Sequence, residues 1–455
     1  MKCIQCGTDN NYQDRRKFLS KCKNCGHQFV FEPKNMMNKI TDPQFAKILN
    51  DISVRNSLFY NPKQFTYYLD NILKPRPVYI LYLLIFLYCF FSYLFFYFWP
   101  IYHLIVILVL YAKGYSNKTL KKERHKYGKA LQIAGYIGIF IGSLIVVVFA
   151  INIVANDKSN VRNQMISILF ILFLAMINII IEIIAITSGR KIIKSKNPGV
   201  QTFLFQPSQI ENWLIKWQTV NGKIENILLP PSEQNLTPRI EFDIEDYSFD
   251  KLLVCETTEI AQFLIANNFH FENNCAVLSI TGYPENIFDT ILEMVKPNPK
   301  LKVYALHDCT PKGIGLVDHL RTSENWFAGY DIAIYNIGLL PRHVLETSNT
   351  FVEKSAEFKK QAKKISPKVR QSLSQEEIEW LESGLFVELE SFTPKKLLRV
   401  VSQSIKETRR LEKTSINYQE NDQERENWKV IRDDGEFAVS SRYDSTINIT
   451  SDSFG

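Results

Sequence analysis

Long stretches of apolar residues in the middle of this chain predict membrane-spanning helices. The first, residues 78–112, contains no charged residue, and the second covers residues 130–155. The third, residues 165–188, is interrupted by one charged residue, Glu182. A helix needs about 20 mainly apolar residues to cross a bilayer, and soluble core helices are rarely this long without a polar break. The alternative is a very apolar helical core of a soluble protein.

Positive charge beside these stretches predicts their orientation. Lys and Arg accumulate on the cytoplasmic side of a membrane, so we expect both basic segments in the cytoplasm. Residues 78–112 are too long for one ordinary span, and Trp99-Pro100 favours a tight hairpin there. One long tilted span would instead place the N-terminus outside. We predict a multi-pass protein of the cell (inner or cytoplasmic) membrane with both termini cytoplasmic. The four predicted spans are 78–98, 100–112, 130–155 and 165–188, and the basic residues are Lys113, Lys118, Lys121, Lys122, Arg124, Lys126 and Lys129, then Arg190, Lys191, Lys194 and Lys196.

Four cysteines near the N-terminus have the spacing of a zinc site. Cys3-x-x-Cys6 and Cys22-x-x-Cys25 are each followed by a glycine, which tolerates the turn that points backbone amides at sulfur. Four thiolates fill the coordination of Zn²⁺, so the predicted site is structural. Residues 1–32 resemble a zinc ribbon. The alternative is a disulfide pair in an exported domain, although we expect no cleavable signal peptide here. The ribbon's basic side chains either contact nucleic acid or form an ordinary solvated face; they are Arg15, Arg16, Lys17, Lys21 and Lys23.

The remaining connections are polar. Residues 33–77 are predicted to be a linker with a helix around 42–57. Residues 411–455, rich in Asn, Ser and acidic residues, are predicted to be a disordered tail. These hydrophilic parts hold the mean hydropathy of the whole chain at −0.11. The sequence contains no internal repeat, phosphate-loop motif, kinase signature or nucleophile elbow.

From Lys251 onwards, short apolar strands alternate with helical segments. Four strands separated by three helices predict a mostly parallel sheet with helices on both faces, in an α/β domain over residues 200–410. Ligands of such folds bind beyond the carboxyl ends of the strands. Glu256 follows the first strand and Asp308 follows the third, so these two acids are the candidate site. The strands are predicted at 252–255, 276–280, 303–307 and 332–335.

Three segments around these acids share one order and spacing with a known family. They are Leu253-Val254-Cys255-Glu256, Ser279-Ile280-Thr281-Gly282-Tyr283-Pro284 and Val303-Tyr304-Ala305-Leu306-His307-Asp308-Cys309-Thr310-Pro311-Lys312-Gly313-Ile314. In these segments the chain resembles the Toprim domain of the topoisomerase VI A subunit. The meiotic double-strand-break relative of that subunit has the same version of the domain. The resemblance implies that one Glu and an Asp-x-Asp pair hold Mg²⁺ beside a DNA phosphate. Glu256 and Asp308 match the Glu and the first Asp, whereas Thr310 stands at the position of the second Asp.

The threonine changes the expected chemistry. Mg²⁺ prefers hard oxygen ligands, and a neutral hydroxyl is a weaker ligand than a carboxylate. A two-metal arrangement would therefore lack one carboxylate. The tyrosine-bearing cleavage domain of topoisomerase VI also has no visible counterpart in the sequence. We expect no topoisomerase activity, whereas Mg²⁺-dependent hydrolysis of a phosphodiester with Glu256 and Asp308 as the catalytic pair stays a candidate.

Together these patterns predict a multidomain chain with a small zinc ribbon, an α-helical transmembrane bundle and an α/β Toprim-like (Rossmannoid) parallel-sheet domain. The first hypothesis is a membrane-anchored, divalent-metal-dependent nuclease that acts on DNA or RNA at the cytoplasmic face, in defence against foreign DNA. The second is a non-enzymatic membrane scaffold or sensor whose degenerate Toprim fold binds nucleic acid, a protein partner or another copy of the chain. A transporter, suggested by the intramembrane acid Glu182, is a weaker third.

Overall fold

The computed structural model divides the chain into two compact units, each with its own packing. One unit comprises Met1–Lys74 and Thr202–Gly455, and the other comprises Pro75–Gln201. The residues that the structure describes are 1–36, 40–74, 99–116, 121–156, 161–194, 199–230, 250–285, 287–298, 300–347, 350–418, 440–442 and 448–449.

Helices and strands alternate through most of the described residues. The α-helices are α1 Tyr12–Lys17, α2 Asp42–Ile52, α3 Pro62–Leu73, α4 Trp99–Tyr115, α5 Lys121–Asn156, α6 Val161–Lys194, α7 Pro207–Asn221, α8 Thr258–Ala266, α9 Phe269–Asn273, α10 Phe288–Val295, α11 Pro311–Ile314, α12 Leu316–Thr322, α13 Pro341–Glu346, α14 Ala356–Ala362, α15 Pro367–Gln371, α16 Gln375–Glu382 and α17 Pro394–Tyr418. The strands are β1 Lys251–Cys255, β2 Ala276–Ser279, β3 Lys302–Leu306, β4 Ala333–Asn336, β5 Glu353–Lys354, β6 Leu385–Phe386, β7 Ser440–Arg442 and β8 Asn448–Ile449. The described residues also include two 3-10 turns, Pro33–Asn35 and Leu389–Ser391.

The predicted polar linker contains a folded helical core. Helix α2 lies within the predicted helical range, and α3 is a second helix that the sequence pattern did not predict. Both begin with a capping box and a proline in the first turn, which fixes where they start. Phe31, Phe45 and Phe65 pack with Trp213 and Trp217 of α7. The apolar face of α2 was hard to interpret from sequence because its partner α7 lies far away in the chain.

Four parallel strands form the centre of the C-terminal domain, which confirms the predicted sheet. Their order is β2-β1-β3-β4. Cys255 at the end of β1 aligns with Ser279 of β2 and with Leu306 of β3. Side chains alternate between the faces, so Leu253 and Val254 enter different hydrophobic cores. Residues that follow β1 and β3 therefore emerge side by side at one edge of the sheet.

Part of the predicted disordered tail is ordered. Helix α17 continues to Tyr418. Strand β7 pairs antiparallel with β4, matching Arg442 with Tyr335, and β8 pairs with β7. An edge strand such as β4 leaves backbone groups available for pairing, which explains how a polar segment can be held there. The rest of residues 411–455 lies outside the described residues.

Two helices of the other unit are long and apolar enough to cross a membrane. The qualifying segments are Arg124–Val148 in α5 and Met165–Lys194 in α6. Helix α4, described from Trp99 onwards, has a shorter apolar part, His103–Tyr115. The predicted span 78–98 lies outside the described residues. Four spans therefore stay a prediction.

Glu182, the one acid of the third apolar stretch, is paired. Its Oε1 lies 3.0 Å from Nε2 of His103, and both side chains are buried. A Cβ atom at Gly138 of α5 would lie 2.3 Å from the Glu182 carboxyl carbon and 2.5 Å from His103 Nε2, so only glycine leaves room for the pair. Pairing with a histidine is one way in which an apolar helical bundle accommodates a buried acid.

Candidate metal centres

The four N-terminal cysteines converge as their spacing predicts. Their sulfurs all lie within 4.8 Å of one another. The Sγ atoms of Cys3 and Cys25 are 3.6 Å apart, and those of Cys6 and Cys22 are 3.5 Å apart. Zn–S bonds of about 2.3 Å imply sulfur–sulfur edges of about 3.8 Å in a tetrahedron. All four are free thiols rather than disulfides, so the cluster can hold one metal ion such as Zn²⁺.

Backbone turns hold this cysteine cluster in place. Gly7 and Gly26, which follow the second cysteine of each pair, both have φ of +73°. Their amides donate to the carbonyls of Cys3 and Cys22 at 2.9 Å, closing two equivalent knuckles. A left-handed φ disfavours every residue with a Cβ, which explains the glycine at each turn.

Two of the ribbon's basic residues stabilise the ribbon itself. The Arg15 guanidinium is buried and donates through Nε and Nη2 to the two carboxylate oxygens of Glu32, both at 2.9 Å. Lys23 Nζ lies 2.9 Å from Asp14 Oδ2. Two of the five basic residues that were candidates for contacting nucleic acid are therefore engaged in ion pairs within the ribbon.

The second candidate centre begins at Glu256, directly after β1. Glu256 is 8% exposed. Its Oε2 accepts a 3.0 Å hydrogen bond from the backbone N–H of Asp308, and its Oε1 accepts a 3.3 Å bond from the Thr310 hydroxyl. Adjacent parallel strands therefore bring the three predicted residues together at the carboxyl end of the sheet.

A close backbone approach at Gly313 shapes the same site. Thr310 caps α11, and its Oγ1 accepts a 2.9 Å bond from the Gly313 N–H. A Cβ at Gly313 would lie 2.4 Å from Glu256 Oε2 and 2.5 Å from the Asp308 carbonyl oxygen. The glycine therefore leaves the space that the Glu256 carboxylate occupies.

A distant segment completes the site from the other side. Residues Cys309 and Val387 form an antiparallel bridge, with Cys309 N–H donating to the Val387 carbonyl at 2.9 Å. The next amide in register, Leu389 N–H, donates to Asp308 Oδ1 at 2.8 Å. The bridge and this hydrogen bond bring the segment that carries Glu388 and Glu390 to Asp308.

Glu388 and Glu390 add two carboxylates to the centre, and Lys63, which pairs with Glu388, adds one cation. Lys63 Nζ of α3 lies 2.7 Å from Glu388 Oε2. Glu390 is 3% exposed, and among the described residues its Oε2 has no hydrogen-bond partner. Lys63 is 51% exposed, so the cluster reaches the surface at this side chain. Lys63 and Lys312 are cations whose charges act on these acids.

The hydroxyl of Tyr67, one turn after Lys63, links the cluster to another acid. It lies 2.6 Å from Glu388 Oε2 and also contacts Glu353 Oε1. A hydroxyl has one proton to donate, so a protonated Glu353 can donate to Tyr67 while Tyr67 donates to Glu388. Burial raises the pKa of Glu353, which agrees with this arrangement.

The protonation of the centre follows from its burial. Burial raises the pKa of Asp308 well above its usual range, and the charges of Glu390 and Glu256 add to the effect. Burial also raises the pKa of Glu256, although the hydrogen bond from the Asp308 amide and the charge of Lys312 lower it in part. The pKa of Glu390 rises to about 7 for the same reason. Burial alone would lower the pKa of Lys63, but Glu390 and Glu388 together raise it.

Sequence reasoning identified one side of this centre and missed the other. Glu256, Asp308 and Thr310 were predicted together, whereas Lys63, Glu388 and Glu390 were not. No local signal pointed to Glu390, because it lies in the 3-10 turn Leu389–Ser391 and its place depends on the bridge between Cys309 and Val387. Glu256 and Asp308 carry the hard carboxylate oxygens that a divalent ion such as Mg²⁺ prefers. Among the described residues, however, the cysteine cluster is the only group of three or more potential ligands that lie within 4.8 Å of one another.

Comparison with known families identifies the α/β part of the chain. Residues 251–408 match the model of the Toprim domain of the topoisomerase 6 A subunit/Spo11 type. This match confirms the resemblance drawn from Glu256, Asp308 and their strands, and Toprim domains bind divalent metals such as Mg²⁺. No curated protein is significantly similar to the chain.

Proposed function

We propose that the chain is a membrane-anchored protein whose Toprim domain binds a divalent ion through Glu256 and Asp308 and engages the phosphates of DNA or RNA. The observation that carries the proposal is the convergence of these acids after adjacent strands of a Toprim-type sheet. The bound metal would supply positive charge to a phosphate oxygen and activate a water molecule. The chain's own residues orient the acids: the Asp308 amide fixes Glu256, and the Leu389 amide fixes Asp308.

A nuclease assay tests the enzymatic form of this proposal. The full chain in detergent is incubated with DNA and RNA in Mg²⁺ or Mn²⁺. Cleavage should occur and should disappear in Glu256→Gln, which keeps the side-chain shape but removes the charge. Glu272→Gln on the exposed face of α9 is the matched control and should keep full activity. Equal cleavage by the wild type and Glu256→Gln would assign the activity to a contaminant.

A specific observation favours a non-catalytic alternative. Both Glu256 oxygens and one Asp308 oxygen already accept hydrogen bonds from the protein. Thr310, at the family's second acidic position, offers only a hydroxyl. A site held this way suits a module that binds nucleic acid, a protein partner or a second copy without cleaving anything. Metal-dependent binding of DNA or RNA without product formation would identify this form.

For the membrane unit we propose four spans with both soluble parts in the cytoplasm. Two helices of sufficient length and the exposed apolar side chains along them, such as Phe140 and Leu169, support anchoring. Basic residues at their ends support the orientation. A reporter fused after Ser116 should read as cytoplasmic, and a periplasmic or extracellular signal would overturn the topology.

Zinc is the proposed occupant of the cysteine cluster. The four sulfurs form a closed set without a free position for substrate, so the ion would hold the ribbon together and take no part in chemistry. The purified chain should contain about one equivalent of zinc.

A further inference from the structure

The tip of the zinc ribbon, formed by Phe18 and Leu19, presents apolar side chains to solvent. We propose that this tip inserts into the surface of an anionic lipid bilayer, and that Arg16, Lys17 and Lys21 bind the headgroups around it. The partner is defined by its chemistry, which is a layer of negative charge over an apolar interior. The contact does not depend on the acidic centre and rests only on the proposed anchoring of the chain in a membrane.

The exposure of the tip is the first observation. Leu19 is 82% exposed, more than any other large apolar side chain among the described residues, and Phe18 is 41% exposed. Even Phe140, on the apolar helix α5, is less exposed than Leu19, at 73%. Moving a leucine and a phenylalanine from water into lipid is favourable, because it removes apolar area from water. Two adjacent apolar side chains at the end of a small domain therefore fit a contact that buries them.

The backbone directs the tip away from the ribbon. Helix α1 ends at Phe18, whose N–H donates to the Asp14 carbonyl at 2.9 Å. Leu19 and Ser20 follow with left-handed φ values of 52° and 61°, and the Ser20 N–H closes the turn on the Arg15 carbonyl at 2.7 Å. Glycine is the usual residue after a helix in this conformation, because a Cβ is disfavoured there. Leu19 therefore carries a backbone cost and gains little packing within the ribbon in return.

Three cations flank the tip. Arg16 and Lys17 directly precede it, Lys21 follows it, and all three are exposed. Among the described residues none of the three forms an ion pair, in contrast to the two paired cations of the ribbon. Lys17 Nζ lies 5.7 Å from the centre of the Phe18 ring, so charge and apolar surface are side by side. A bilayer matches both, because anionic headgroups attract lysine and arginine while the acyl chains accept the apolar groups. Nucleic acid offers the negative charge without the apolar layer.

The rest of the chain supplies the bilayer. The ribbon belongs to Met1–Lys74, and Pro75 begins the unit whose helices are long and apolar enough to cross a membrane. A contact between parts that are already tethered benefits from a high effective concentration. Two apolar side chains and three charges are therefore sufficient here, although they would bind free vesicles only weakly.

Photo-crosslinking in a bilayer tests this contact. The full chain, with p-benzoylphenylalanine in place of Phe18, is placed in nanodiscs of phosphatidylcholine, either alone or mixed with phosphatidylserine. After irradiation, mass spectrometry measures the fraction of protein that is joined to phospholipid. We expect lipid adducts, and more of them with phosphatidylserine. The same probe at Asn24 is the matched control and should give few adducts, because Asn24 lies in the zinc knuckle at the other end of the hairpin formed by residues 20–29.

Two sets of substitutions separate lipid contact from a structural role. With the probe at position 18, Leu19→Gly should lower the adduct fraction about tenfold, because the main apolar group is gone. Zinc content and melting temperature should not fall, since glycine adopts the left-handed backbone without cost. A leucine that only stabilises the ribbon would give the opposite result, a lower melting temperature with unchanged adducts. Exchange of Arg16, Lys17 and Lys21 for Gln should reduce the adducts in phosphatidylserine to the level in phosphatidylcholine alone.

The remaining outcomes are equally decisive. Adducts that are as frequent from Asn24 as from position 18, or that do not respond to phosphatidylserine, would overturn the proposal. Adducts to a short DNA duplex that replace the lipid adducts when the duplex is added would make the tip a nucleic-acid surface instead. A chain that does not enter nanodiscs would overturn the anchoring and this contact together, whereas an anchored chain without lipid adducts at the tip would overturn this contact alone.

Discussion

The two candidate metal centres of this chain are built in opposite ways. The cysteine cluster draws all four sulfurs from residues 3–25, and two glycine turns are enough to aim them. The acidic centre contains Glu256, Asp308 and Glu390, which lie in three distant segments of the chain, and Lys63, which lies in a fourth. The first is closed by its own ligands, whereas the second is held partly by protein hydrogen bonds and keeps a free oxygen. Local spacing is enough to form the first centre, whereas the second depends on contacts between distant parts of the chain.

The largest difference should appear when one ligand is removed from each centre. Cys22→Ser should abolish zinc binding and unfold the ribbon, because structural zinc contributes about 10–16 kcal/mol to the folding of such small domains. Metal analysis of the purified variant checks this. Cys275→Ser, which alters a buried cysteine of the α/β core, should retain the metal. Zinc that survives in Cys22→Ser would show that the ligand set is wrong.

The same contrast explains what the sequence could and could not predict. The zinc ligands followed from a fixed local spacing, and the strands of the sheet followed from short apolar runs. Glu256 and Asp308 could be found because parallel strands end at one edge. Glu390 could not, because its place depends on the register between Cys309 and Val387, and no local pattern encodes that pairing. The helical core around Phe45 and Trp217 was missed for the same reason, since its halves are far apart in sequence.

A second prediction concerns stabilisation by magnesium. A ligand that binds only the folded state stabilises it by about 2.7 kcal/mol at a concentration of 100 times its dissociation constant. Magnesium should therefore raise the free energy of unfolding of the unit that contains the sheet, and Glu256→Gln should lose the whole effect. Chemical denaturation with and without Mg²⁺ measures it. The cysteine cluster should respond to neither change, and an equal magnesium effect in the variant would place the ion elsewhere.

A third prediction concerns Gly313, where a side chain would collide with the acidic centre. Gly313→Ala would put a Cβ 2.4 Å from Glu256 Oε2, so the carboxylate must move and the fold should lose about 1–3 kcal/mol. Magnesium binding should weaken as well. Gly315→Ala is the matched control, since its Cβ would meet the Lys312 carbonyl oxygen at a milder 3.3 Å. Zinc content should be normal in both variants. If the two variants show equal magnesium affinity, Gly313 does not position Glu256.

The smallest predicted effect is the response of the two centres to pH. Burial raises the pKa of Glu390 to about 7, well above its value of about 4.3 in an unfolded chain. The folded state therefore holds a proton that the unfolded state releases, so this contribution to stability is complete below about pH 4 and is lost as pH rises through 7. In magnesium-free buffer, Glu390 should add about 1 kcal/mol between pH 7.5 and pH 6. The raised pKa values of Glu256 and Asp308 act in the same direction.

His343 opposes this trend, because burial lowers its pKa and the unfolded chain gains its proton first as pH falls. The difference between the wild type and Glu390→Gln cancels that contribution and isolates the carboxyl group. The cysteine cluster should show the reverse sign, since acid protonates thiolates and releases zinc. Denaturation curves and zinc content measured across the same pH range therefore compare the two centres directly. If the stability of Glu390→Gln depends on pH in the same way as that of the wild type, Glu390 does not titrate in this range.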